Sequence, residues 1–160
     1  MHVVIVGCGR VGSSLAHNLV DDGHTVAIID RKSAAFERLR PGFSGEAFAG
    51  IGFDRDLLVK AGIERADALA PVTNGDNSNI LVARVARETF GIERVVARIY
   101  DPRRAAIYQR LGVGGRRVPK RIVASPRGQV LHRVIQRDGH PATDAAGGIG
   151  RSWLRPSASP

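Results

Sequence analysis

Three glycines stand at the spacing G-x-G-x-x-G in Gly7-Cys8-Gly9-Arg10-Val11-Gly12, directly after the apolar run His2 to Val6. Such a loop holds phosphate. The first glycine permits a tight turn, the second lets backbone approach a pyrophosphate, and the third lets the following helix pack closely on its strand. Phosphate oxygens then meet free N–H groups and the positive end of a helix dipole. A strand-to-helix turn without ligand is the plainer alternative, and Asp30 weighs against it. It closes the next apolar run 23 residues after Gly7, near the offset of about 20 at which a carboxylate accepts hydrogen bonds from a ribose. A 2′-phosphate would sit against that charge, so NAD(H) or an adenine nucleotide is favoured over NADP(H), although Arg31 and Lys32 oppose the preference. Cys8 lies where a helix N-terminus can depress a thiol pKa, but the favoured reading is that a small side chain suits the turn.

Residues for a chemical step are harder to find. An oxidoreductase needs a proton donor beside the nicotinamide, yet Tyr100 and Tyr108 are followed four residues on by Arg104 and Gly112, so no Tyr-x-x-x-Lys pair exists. The histidines are His2, His17, His24, His132 and His140, and none follows a core strand where a general acid is expected. His17 falls in a helix and His24 in a turn, both read as surface positions. The single cysteine excludes an internal disulfide and a multi-cysteine metal site. No catalytic or metal-binding residue is assigned, and an NAD-dependent oxidoreductase is the alternative to a ligand sensor.

The elements that must position the loop follow from periodicity. Short β-branched runs alternate with longer helical patterns, the signature of consecutive βαβ units and a parallel sheet. Strands are expected at His2–Val6, Thr25–Asp30, Glu46–Ala49, Ala68–Val72 and Arg94–Ile99. Helices are expected at Val11–Asp21, Ser33–Leu39, Asp54–Ala61, Asn77–Phe90 and Pro102–Leu111. Asp54 or Phe53 begins a helix after glycines, Pro102 suits a first turn, and Gly23, Gly62, Gly91 and Gly112 stand where helices end. Five βα repeats give a doubly wound α/β Rossmann fold. In Asn77–Phe90 the apolar Leu81, Val82, Ala83, Val85, Ala86 and Phe90 sweep roughly 200° at 100° per residue, with Arg84, Arg87 and Glu88 as a polar stripe beside Ile80. That is wider than one sheet face requires, so a second side is expected to pack on another subunit.

At 160 residues, with 43% hydrophobic and 24% charged content, the chain suits one ordinary globular unit. No apolar run approaches the ~18 residues of a membrane span, and no basic leader precedes Val3, so a cytoplasmic location is expected. The net charge of +9 is unevenly placed: residues 1–113 carry +2 and residues 114–160 carry +7. The division is therefore a nucleotide-binding domain over 1–113 and a basic tail over 114–160, rich in Arg, Gly, Pro, Ala and Ser, whose composition suits disorder. Within the tail, Arg121–Ala124 has strand character and Gln129–Gln136 amphipathic character. With Trp153 as its only aromatic residue, the tail lacks stacking platforms, and no nucleic-acid partner is expected.

The glycine loop, Ile28-Ile29-Asp30-Arg31, Ala61-Gly62-Ile63 with Ala66-Asp67, Val72-Thr73-Asn74-Gly75-Asp76-Asn77-Ser78-Asn79-Ile80 and Val96-Ala97-Arg98-Ile99-Tyr100-Asp101-Pro102 together resemble the RCK domain, also called KTN or TrkA-N. Over about 113 residues the chain is similar to TrkA-type regulatory proteins of potassium uptake. The resemblance implies a domain that binds NAD(H) or ATP/ADP. It further implies a dimer or higher oligomer, or a pairing with a second RCK subunit, on the inner face of the membrane against an embedded potassium transporter. It places Thr73 near ligand phosphate or ribose and directs Arg10 and Arg98 toward phosphate charge, with a rim salt bridge as the other reading of Arg98. Cofactor-binding residues are thus expected at Gly7, Cys8, Gly9, Arg10, Val11, Gly12, Asp30, Arg31, Thr73 and Arg98. Two departures stand out. Where the family has Gly-Asp after the third strand, this chain has Gly50-Ile51, which removes a polar contact to the adenine edge, and after Gly112 the family pattern is not followed.

Overall fold

The structure is a computed structural model and describes residues 1–101 and 103–104. Its order is β1 (His2–Val6), α1 (Arg10–Asp21), β2 (Thr25–Asp30), a 3-10 helix (Ser33–Arg38), β3 (Glu46–Ala49), α2 (Arg55–Lys60), a second 3-10 helix (Ile63–Arg65), β4 (Ala68–Pro71), α3 (Asp76–Phe90) and β5 (Arg94–Val95). All pairings are parallel, in the order β3-β2-β1-β4-β5. The order in which successive strands are added reverses at β1/β4, so the crevice that open α/β folds use for ligands lies at the carboxyl ends of these two strands.

Successive residues of β1 feed two cores, because side chains alternate across a strand. Val3 and Ile5 pack with Leu15, Leu19, Val26 and Ile28 under α1. Val4 and Val6 pack with Leu58, Leu69, Val82 and Ala86 under α2 and α3. Both sheet faces are thus covered, as parallel sheets require, and each fully buried Leu or Ile contributes about 1.5–3 kcal/mol.

Four expectations need correction within the described residues. Ser33–Arg38 is a 3-10 helix with no side-chain cap and no buried residue; Leu39 is already extended, and the residue before Pro41 disfavours helix. Ile63–Arg65 forms a short 3-10 turn where none was expected. β5 stops at Val95 rather than Ile99 for a covalent reason. Val96 N–H donates to the Leu69 carbonyl at 3.0 Å and Arg98 N–H to the Pro71 carbonyl at 2.9 Å, but the bond that Pro71 should return cannot form, since proline has no N–H. Finally, of the wide apolar arc of α3 Leu81 alone is exposed, at 43%, and Ile80 beside it is buried. Val85 and Phe90 are half-buried against the sheet cluster. The expected Pro102–Leu111 helix, Gly112 as a helix end, Arg121–Ala124 and Gln129–Gln136 lie outside the described residues.

Candidate functional site

Each glycine of the loop meets a different constraint. Gly7 turns at φ +108, where a side chain is strained, and a Cβ there would lie 3.0 Å from Thr73 N. At Gly12 a Cβ would fall 1.8 Å from the Gly7 carbonyl oxygen, so α1 can approach β1 only with hydrogen at this position. Gly9, the N-cap of α1, would place its Cβ in open space, with nothing within 4 Å. The fold therefore needs Gly7 and Gly12 for itself and leaves the space above Gly9 to something else. No side chain caps α1 and no acidic residue occupies its first turn. The positive end of the helix dipole opens into the crevice unneutralised.

That crevice has a volume of about 1090 Å³, at the upper end of the roughly 300–1,000 Å³ typical of small-molecule sites. Gly7, Cys8, Gly9, Arg10, Val11, Asp30, Arg31, Thr73 and Arg98 all line it, while Gly12 stands behind the loop. Arg10 is the first residue of α1 rather than a loop residue. Sequence reasoning did not assign Lys32, Arg38, Ile51, Phe53, Asn74 or Tyr100, which line it as well. Arg10, Arg31, Lys32, Arg38 and Arg98 make no ion pair among the described residues. Against these cations the lining carries one acid, Asp30, and such a balance favours an anionic ligand.

Asp30 is already engaged. One carboxylate oxygen accepts from Cys8 N–H at 2.7 Å and the other from Lys32 N–H at 2.9 Å, so the acid locks the glycine loop to β2. Each oxygen keeps a lone pair for a ribose hydroxyl. Cys8 has no exposed surface, and its thiol donates to the Ala35 carbonyl at 3.3 Å. Burial first, then the Asp30 charge, push its pKa up to about 11, opposed by Arg38. A protonated, enclosed thiol is a packing group and hydrogen-bond donor, which agrees with its reading as a small turn residue.

On the far wall the Arg98 guanidinium lies over the Tyr100 ring, 3.9 Å from its centre, in place of the rim salt bridge considered for it. Tyr100 N–H and Asp101 N–H donate to the Asp76 carboxylate at 2.8 and 3.1 Å, and the Tyr100 hydroxyl meets Asn74 at 3.3 Å. At the β3 side, Gly50-Ile51 presents apolar surface: Ile51 and Phe53 are each 44% exposed and line the crevice. Asp54 does not restore an acid there, since its side chain accepts from Asp56 and Leu57 N–H as the cap of α2. His17 is half-buried rather than superficial, accepting from Arg40 N–H at 3.1 Å with its ring edge-on to Phe43. No group of His, Cys, Asp and Glu among the described residues is arranged to hold a metal.

Comparison with known proteins matches residues 3–118 to the TrkA-N domain. The chain is 52% identical to a Trk system potassium uptake protein TrkA of Streptomyces coelicolor over 163 aligned residues, which cover 99% of this chain and 70% of that protein. Residues 114–160 therefore fall almost wholly within that alignment. The chain spans smaller shares of other curated relatives, 61% of one and 30% of another. Among solved structures, an AMP-bound Kef C-terminal domain from Shewanella denitrificans is 26% identical with a TM-score of 0.62, over 74% of this chain and 71% of that one. A GsuK channel bound to NAD shares the fold at 18% identity and a TM-score of 0.59, over 74% of this chain and 21% of that one.

Proposed function

The chain belongs to the TrkA-N domain family, and on that premise we propose that it is the nucleotide-sensing part of a regulatory subunit of a potassium uptake transporter. One observation carries the proposal: the switch-point crevice joins an uncapped helix N-terminus, an open Gly9 and five cations to a single carboxylate, Asp30. That set suits a phosphate chain at the glycine loop and a ribose at Asp30, hence NAD(H) or an adenine nucleotide such as ATP or ADP. The AMP and NAD held by the two solved relatives support the same ligand class.

The mechanism we propose involves no bond chemistry. A nucleotide that binds two conformations with unequal affinity shifts their populations, and a neighbouring subunit that meets α3 passes the shift to a membrane-embedded transporter subunit. No helix among the described residues is long and apolar enough to cross a membrane, which fits a peripheral place on the cytoplasmic face. Calorimetry and thermal-shift measurement with NAD⁺, NADH, NADPH, AMP, ADP and ATP test the ligand class. Saturable binding of at least one is expected, with NADPH weaker than NADH; failure of all six at millimolar concentration overturns the reading.

A further inference from the structure

Asn79 has no exposed surface, yet it belongs neither to the crevice lining nor to either apolar cluster. All of its side-chain hydrogen-bonding groups are directed at two chain segments. Its carbonyl oxygen accepts from Thr73 N–H at 2.9 Å and from the Thr73 hydroxyl at 2.7 Å. Its amide nitrogen donates to the Thr73 carbonyl at 3.1 Å and to the Arg98 carbonyl at 2.8 Å. The orientation is forced, because a flipped amide would set N–H against N–H and oxygen against two carbonyls.

The position of these bonds matters more than their number. Thr73 follows β4, Arg98 lies past the end of β5, and both line the crevice. Between them the ladder is interrupted at Pro71, so backbone pairing by itself secures the Arg98 segment only through its N–H. Asn79 holds that residue's other backbone group. It is the fourth residue of α3, on the first turn of a helix whose Leu81 is exposed two positions further on.

We propose that Asn79 is a positioning residue of the nucleotide site: it sets the spacing of Thr73 and Arg98 and makes α3 move with them. The inference rests on the crevice being a nucleotide site. It requires that Asn79 act on the ligand through Arg98 and Thr73, without touching it. A residue that merely supports the fold would lower stability and leave the affinity of the folded fraction alone.

The test is a double-mutant cycle on nucleotide affinity, read by calorimetry on the full chain with NAD⁺ and AMP as probes, using Asn79→Ala, Arg98→Ala and both together. Leu58→Ala is the control, since Leu58 is the buried residue of α2 and does not line the crevice. Asn79→Ala is expected to weaken binding about tenfold in the wild-type background and much less where Arg98 is already alanine. Leu58→Ala should lower the melting temperature with affinity unchanged. If Asn79→Ala does not fold, Asn79→Asp keeps the size and the two bonds accepted from Thr73 while opposing the Thr73 and Arg98 carbonyls, and should give the same pattern. Additive losses, or unchanged affinity in a folded Asn79 variant, overturn the role. Absence of binding by the wild-type chain overturns the nucleotide reading instead, and the two failures are distinct.

Discussion

At the scale of single residues, the three loop glycines separate folding from binding. Gly9→Val puts a side chain into space that the protein leaves empty, so nucleotide binding should be lost with the melting temperature nearly unchanged; unchanged affinity in a folded variant would remove the assignment. Gly12→Ala forces a Cβ onto the Gly7 carbonyl and should cost about 1–3 kcal/mol of stability or more, as overpacking does, which denaturant unfolding measures. Asp30→Ala removes both the proposed ribose acceptor and the lock on Cys8 N–H; calorimetry should show NADH losing more affinity than NADPH. Cys8 yields a pH prediction. Its pKa rises from 9.0 to about 11 on folding, so the unfolded chain ionises first as pH climbs. Stability is complete below pH 9 and declines between pH 9 and about 11, by up to about 3 kcal/mol. Cys8→Ser should flatten that limb of the profile, measured by urea unfolding across the range.

At the scale of elements, local signals and tertiary ones divide the work. Asp54 caps α2 through two backbone N–H groups, and Asp54→Ala should cost about 1 kcal/mol in an unfolding titration. That cap was legible as a polar residue after glycines. The shortness of β5 was not, because Pro71 acts across the sheet on a strand 23 residues further on. A proline reads as a local feature, whereas the missing bond depends on the register that pairs Leu69 with Val95. The same limit applies to the apolar arc of α3, since which of its residues the sheet covers depends on the face the helix turns to it rather than on periodicity.

At the scale of the whole molecule, the surface left by folding bears on assembly. Leu81 remains exposed on α3, and Val85 and Phe90 are only half covered. If α3 meets a second copy or a second RCK subunit, Leu81→Glu should lower the oligomeric state, since a symmetric contact repeats the charge on both sides. Sedimentation at tens of micromolar, a concentration suited to a weak interface, checks this. A wild-type chain that is monomeric there would remove the interface.

What the sequence determined by itself is whatever depends on short-range pattern. The alternation that marks the strands, the glycine spacing that marks the loop and the offset from Gly7 to Asp30 are carried by neighbours along the chain. They sufficed for the parallel sheet, the glycine loop and Asp30, whereas Thr73 and Arg98 came from the family resemblance. The tertiary structure decided which glycine serves the fold and which leaves room for a ligand, because that depends on what stands opposite each Cα. It showed that Cys8 is sealed and Asp30 already bonded, and that Ile51 and Phe53 form one wall. It also showed that Asn79 ties Thr73 to Arg98. Those relations join residues far apart in the chain, and strand order and register bring them within hydrogen-bond distance.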